Sequence, residues 1–213
     1  MSLDGFVAGP NPSVEEPLGE GGEALHEWAF ALEAWRRPHG LEGGDVNAST
    51  AVMEDALSNA GATIMGRKMF GGGPGPWGDE PWDGWWGDDP PFHHPVFVLT
   101  THPRGPLAKG DTAFTFVTDG IESALDQARA AANDGDVRLA GGADVAQQYL
   151  SAGLLDEVQI DLVPILLHGG TRLFEGLAPG IRFEQVQAIE APGVTHLKYR
   201  VTYGEGSDGS GRS

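Results

Sequence analysis

Between Pro95 and Gly153 short apolar runs alternate with helix-length stretches, and this alternation limits the possible folds more than any other feature. "PVFVLTT" and "AFTFVTD" read as buried strands, "GIESALDQARAAAND" as a helix, "DVRLAGG" as a strand and "ADVAQQYLSAG" as a helix. Strands separated by helical crossovers favour a parallel sheet with helices on its faces, so the expectation is an α/β fold.

The flanking segments extend this pattern. "EALHEWAFALEAW" places Leu25, Trp28, Leu32 and Trp35 on one stripe at helical spacing, which predicts a first helix. "STAVMEDALSNAG" predicts a second, opened by a Ser/Thr pair suited to capping and closed at Gly61 by a left-handed stop, after which the chain enters "ATIMG". Toward the end, "LDEVQIDLVPILL", "IRFEQVQAIEA" and "THLKYRVTYG" follow one another with little helical pattern between them, which predicts antiparallel strands added to the sheet. The Gly/Ser-rich "EGSDGSGRS" has almost nothing to bury, so residues 1–204 are expected to form one domain and residues 205–213 a disordered tail.

A net charge of -18 opposes the use of this surface for nucleic acid or anionic membrane, both of which need dense Lys and Arg. With no cysteine, disulfides and thiolate metal sites are excluded. No run approaches the roughly 20 apolar residues of a membrane helix, so the expected setting is soluble and cytoplasmic. His93 and His94 are adjacent and would point to opposite faces of a strand, which argues against a metal site. No Gly-x-Ser-x-Gly elbow is present, which weakens a serine hydrolase reading.

Against that acidity, Arg67 and Lys68 stand together in "TIMGRKMFGGG", where an apolar run meets Gly66 and a helical turn begins. A helix start offers free N–H groups, and Gly66 permits close approach, so Arg67 and Lys68 are candidates to hold a phosphate; a solvated surface pair is the plainer alternative. Gly141 and Gly142 repeat the design between a strand and a helix, with a simple tight turn as the alternative. The loop from Gly71 to Pro95 holds four of the six tryptophans, which could cover a flat ligand or merely anchor the loop.

Taken in order, "SLDGFVAG", "TIMGRKMF", "VFVLTTHPR" and "VRLAGGADVAQQYLSAGLLDEVQIDLVPILLHGGTRLF" resemble the dihydrofolate-reductase-like superfamily. Within it the chain is most similar to the C-terminal reductase domain of the riboflavin-biosynthesis deaminase-reductase. The resemblance implies a three-layer sandwich around a mostly parallel central sheet with antiparallel C-terminal strands, and a homodimer. It also implies an NADPH-dependent reductase passing hydride to a small heteroaromatic or carbonyl substrate, such as a pyrimidine, a pterin or 5-amino-6-(5-phosphoribosylamino)uracil. A binder of nucleotides or drugs that keeps the NADPH cleft without turnover is the alternative.

By the same resemblance, Gly66, Arg67, Lys68 and Met69 form the turn addressing the 2′-phosphate and pyrophosphate. Thr100, Thr101 and His102 lie beside the adenosine end, and Gly141 and Gly142, commonly joined by a cis peptide, lead through Ala143, Asp144 and Val145 into a pyrophosphate-facing helix. Asp4 is the candidate substrate-side carboxylate, with a turn-forming Asp-Gly pair as the alternative. Two departures accompany the match. Met69 stands where folate reductases often carry Thr, and the position of their proton-donating acid falls near Thr50. The family also usually has strand residues before "SLDG", so the start is expected to be truncated or its first strand incomplete.

Overall fold

The computed structural model describes residues 1–204 except 14, 74 and 80; the expected tail at 205–213 lies outside the described residues. The chain divides into two compact units, Met1–Asp55 with Gln147–Ser213, and Ala56–Ala146.

The second unit holds the parallel sheet. Its strands are β2 (Ala60–Gly66), β3 (Val96–Leu99), β4 (Leu107–Lys109), β5 (Thr112–Val117) and β6 (Asp136–Gly141), ordered β4-β5-β3-β2-β6. All neighbouring pairs are parallel except β4 with β5. The apolar runs read from the sequence became β3 and β5 inside the sheet and β6 at its edge, and the 12-residue helix Ile121–Ala132 became the crossover from β5 to β6. That helix buries Ala124, Leu125, Ala128 and Ala132, whose spacing puts them on one face. Met65, Phe70, Val96, Val98 and Phe114 form a core against which Trp77, Trp82, Trp86 and Phe92 of the long loop pack.

The tryptophan loop is tied down by its indole N–H groups. Trp77 donates to the His102 carbonyl at 2.8 Å, Trp82 to that of Phe70 at 2.9 Å and Trp85 to that of Met69 at 3.1 Å. Trp77 and Trp82 thus bury apolar surface while their one donor is satisfied, and Trp85, though more exposed, is held by the same kind of bond. This favours the anchoring reading of the loop.

In the first unit, β1 (Phe6–Ala8) pairs with β8 (Thr171–Arg172), and β7 (Glu157–Leu162), β9 (Ile181–Ala191) and β10 (Val194–Tyr203) form an antiparallel sheet ordered β7-β10-β9. The C-terminal strands are antiparallel as expected. They hydrogen-bond to one another in a sheet of their own, however, instead of extending the parallel one.

The first predicted helix is broken. It forms two single turns, α1 (Glu27–Phe30) and α2 (Glu33–Arg36), with Leu32 between them in an extended conformation at φ -75°, ψ 139°. The cause is tertiary: Asp45 N–H donates to the Ala31 carbonyl and Glu33 N–H to the Asp45 carbonyl, and this pairing pulls the backbone out of the helix while Leu32 stays fully buried.

The second helix, α3 (Ala48–Ser58), stops before Gly61, which lies inside β2 without a left-handed φ. Its cap is Asn47, whose side chain accepts from Ser49 N–H at 2.8 Å while Thr50 Oγ1 accepts from Asn47 N–H at 3.1 Å. Gly61 has another purpose. A Cβ there would collide with the Ala132 carbonyl, so only glycine lets β2 pass the end of the crossover helix.

No described helix is long and apolar enough to cross a membrane.

Candidate functional site

Three strand ends meet on one edge of the parallel sheet. Gly66 at the end of β2 pairs with Leu99 at the end of β3, and Met65 pairs with Gly141 at the end of β6. Because these strands are adjacent and parallel, the segments that follow them, Arg67–Phe70 (α4), Thr100–His102 and Gly142 onward, emerge side by side. Ligands of open α/β sheets bind at such carboxyl ends.

Gly66 is required by packing. Its φ is -84°, open to any residue, but an added Cβ would lie 2.7 Å from Val145 Cγ2. Val145 and Ala143, both about 8 % exposed, are buried at the start of α6 (Ala143–Ser151). They therefore offer a ligand only backbone, and the Val145 N–H already donates to the Gly142 carbonyl at 3.1 Å. The Gly141–Gly142 peptide is cis, as the resemblance implies. A Cβ added at Gly142 would meet nothing within 4 Å, so packing does not demand a glycine there.

Arg67 has a crowded cationic setting. Its Nε donates to the Gly71 carbonyl at 3.0 Å and its Nη2 to the Gly72 carbonyl at 3.1 Å, while Cζ lies 3.1 Å from the centre of the Trp77 ring. Its Nη1 is buried with no hydrogen-bond partner among the described residues. Arg104 Cζ lies 4.6 Å from the same ring and 4.5 Å from that of Phe116, and its Nη1 donates to the Trp82 carbonyl at 2.6 Å. Burial, followed by the charge of Arg104, lowers the Arg67 pKa from its ordinary value; burial likewise lowers that of Arg104, and Asp83 partly offsets this. Two guanidiniums thus share one indole, and one buried Arg67 N–H has no acceptor among the described residues.

The other sequence candidates behave differently. Lys68 Nζ is 2.6 Å from Asp144 Oδ2, and both side chains are largely exposed, at 85 % and 55 %. Lys68 is therefore already ion-paired. Thr100 Oγ1 accepts from the His102 N–H at 3.2 Å, and Thr101 Oγ1 lies 3.1 Å from His102 Nδ1, which makes a compact polar turn after β3. Met69 contributes its carbonyl to Trp85, and its sulfur faces Gly141. His94 Nε2 bonds Thr63 Oγ1 at 2.8 Å, and burial lowers its pKa, so it is engaged in the core.

Asp4 belongs to the first unit and is occupied. Its carboxylate accepts from Leu167 N–H at 3.2 Å and His168 N–H at 2.8 Å, while its own carbonyl accepts from Arg172 at 2.7 Å. A hydrogen bond from Ser2, then those amides, holds its pKa down to about 2. Gly5 follows at φ 87°, so the turn-forming alternative describes this Asp-Gly pair.

Sequence reasoning missed Arg104 and Trp77. Arg104 stands two residues beyond His102 in "TTHPR", and that closeness to a strand end was the available signal.

The family model described as the RibD C-terminal domain matches residues 1–196, and the chain belongs to that family, a reductase family. Among solved structures, the chain is similar to a riboflavin biosynthesis protein from Shewanella sp. PV-4 at 20 % identity and a TM-score of 0.61, covering 95 % of both chains. It is also similar to a pyrimidine reductase-like protein from Corynebacterium diphtheriae at 15 % identity and a TM-score of 0.48, covering 96 % of this chain and 90 % of that one. A dihydrofolate reductase from Enterococcus faecalis complexed with NADP(H) matches at 15 % identity and a TM-score of 0.44, covering 73 % of this chain and 83 % of that one. No curated protein matches.

Proposed function

We propose that this protein is an NADPH-dependent reductase of a small heteroaromatic or carbonyl substrate, with the cofactor's phosphates bound at the strand ends of the second unit. The observation that carries the reading is the pair Arg67 and Arg104 on Trp77, with the Arg67 Nη1 buried and without a hydrogen-bond partner among the described residues. A 2′-phosphate would give that N–H a charged acceptor and neutralise two adjacent cations. Its residues otherwise fit the cofactor: Gly142 leaves room for a pyrophosphate, and Thr100, Thr101 and His102 supply hydroxyl and imidazole groups beside the arginines.

NADPH, when bound, supplies the hydride. The chain's own part is to hold and orient the cofactor: both guanidiniums lie over Trp77, and the Gly71 and Gly72 carbonyls accept from Nε and Nη2 of Arg67 and so restrain its fork.

The test compares NADPH with NADH. In Arg67→Ala, and separately in Arg104→Ala, NADPH affinity should fall about 10- to 100-fold with little change for NADH, as expected for a lost charge-assisted bond. Equal loss for both cofactors would remove the 2′-phosphate assignment, and tight NADPH binding without oxidation by any pyrimidine, pterin or flavin would favour the binder.

The reading includes a homodimer. β9 is an edge strand on which Phe183 and Val186 are exposed, and Phe174 packs against Phe183. Laid antiparallel on a second copy about Val186, "RFEQVQAIE" sets Arg182 opposite Glu190 and Phe183 opposite Ile189. Sedimentation of Phe183→Glu against the parent chain tests it: the parent should run as a dimer and the variant as a monomer.

A further inference from the structure

Lys109 is the last residue of β4, at the edge of the parallel sheet, yet its side chain is only 11 % exposed. Its Nζ lies 2.5 Å from Asp83 Oδ2 and 3.9 Å from Asp88 Oδ1, and donates to the Gly87 carbonyl at 3.0 Å. A lysine that guards an edge strand does so by reaching into solvent, so the burial of this ammonium calls for another reason. All three of its partners belong to the tryptophan loop, and one of them comes from the same stretch of backbone that holds Arg104.

Asp83 follows Trp82, whose carbonyl accepts from Arg104 Nη1 at 2.6 Å. The hydrogen bond from Lys109 is the main cause that holds the Asp83 carboxyl below its ordinary pKa, and the charge of Arg104 adds to it. In return, the charge of Asp83 partly offsets the burial that lowers the Arg104 pKa. A carboxylate and a guanidinium can form a two-pronged ion pair. Among the described residues no such pair links Asp83 to Arg104: Lys109 has the carboxylate, and Arg104 lies over Trp77 and Phe116, 4.6 and 4.5 Å from the ring centres.

A phosphate and a carboxylate compete for the same guanidinium, because both offer oxygens that match its fork. A carboxylate set free beside Arg104 would occupy its N–H groups and repel an incoming anion, which is how a binding surface rejects a ligand. Resting on the cofactor reading above, we propose that Lys109 is a positioning residue for 2′-phosphate recognition: it holds Asp83 away from Arg104 and so keeps that guanidinium open to the phosphate. The two arginines meet the ligand, and Lys109 acts on it through Asp83.

Calorimetric titration of the whole chain with NADPH and with NADH tests this. Lys109→Met removes the ammonium and keeps an unbranched stem, so Asp83 should turn to Arg104. NADPH affinity should then fall about 10-fold while NADH affinity changes by less than about 2-fold, the scale of one charge-assisted bond. Lys109→Arg should restore the preference for NADPH. The deciding comparison is the same Lys109→Met change made in Asp83→Asn, where no carboxylate is left at that position to capture Arg104, and the NADPH loss should shrink to within about 2-fold.

An equal NADPH loss in both backgrounds would mean that Lys109 acts through its own charge, and overturns the role given to Asp83. A Lys109→Met chain that keeps the parent's preference, or that loses NADPH and NADH alike, overturns the proposal as well. A parent chain that binds NADPH and NADH equally removes the 2′-phosphate reading itself, and the role of Lys109 falls with it. Circular dichroism checks that each variant is folded. If Lys109→Met fails that check, Lys109→Gln, which keeps a donor for the Gly87 carbonyl and carries no charge, takes its place with the same expected outcomes.

Discussion

The Arg67 guanidinium lies over the Trp77 ring, its Cζ 3.1 Å from the ring centre, and the indole N–H of that same tryptophan donates to the His102 carbonyl. One side chain therefore ties the segment after β2 to the segment after β3. Trp77→Ala should cost about 3 kcal/mol in denaturant unfolding, the lower end for a large aromatic lost from a packed site. It should also weaken NADPH binding, because both arginines lose their platform. Trp77→Phe keeps the ring face and loses the donor, so it should retain most of the NADPH affinity while staying less stable than the parent.

Gly66 and Val145 set the spacing between β2 and α6. With an ordinary φ at Gly66, the effect of a methyl group there is steric, and the nearest atom is a buried, branched side chain. Gly66→Ala should destabilise by about 1–3 kcal/mol through overpacking. Val145→Ala alone should also destabilise, by leaving a gap. In the double variant the two should compensate, giving a coupling energy well away from zero in a double-mutant cycle. Additive losses would mean that the Gly66 position tolerates no Cβ for another reason.

How legible the molecule was depends on where each element's determinants lie. The crossover helix Ile121–Ala132 and strands β3, β5 and β6 carry their pattern locally, in apolar periodicity bounded by Gly, Asp and Pro, and they formed where expected. Leu32 has a helical neighbourhood in sequence but is held extended by Asp45, thirteen positions on, which no window around Leu32 contains. The same applies to the site. Gly66, Arg67, Gly141 and Gly142 follow strand ends visible as apolar runs, whereas Trp77 lies in a loop where four tryptophans look alike and only the fold selects one.

Lys68 and Asp144 form an exposed pair, and an exposed pair contributes little stability. Its effect on binding should be larger, because Asp144 places a negative charge in the first turn of α6, where an anion would gain from the helix dipole. Asp144→Asn should leave the unfolding midpoint nearly unchanged while tightening NADPH binding several-fold at low ionic strength, with the gain fading as salt is added. Calorimetric titration at two salt concentrations checks this. A gain independent of salt would point to altered packing at α6 instead of charge.

Asp4 predicts an acid-sensitive contact with a definite sign. Hydrogen bonds from Ser2 and two amides hold its folded pKa down to about 2, below the ordinary value of 3.8, so the ionised carboxylate is favoured in the folded state. The stability it contributes is fully present above pH 3.8 and disappears as pH falls toward about 2, where the folded-state carboxyl also takes up its proton. Asp4→Asn should therefore unfold at lower denaturant than the parent at neutral pH, and the difference should close across that interval. The amides of Leu167 and His168, which donate to this carboxylate, should exchange faster in the variant than in the parent. A difference in midpoint that stays constant down to pH 2 would show that the Asp4 contribution comes from the shape of its turn and not from its charge.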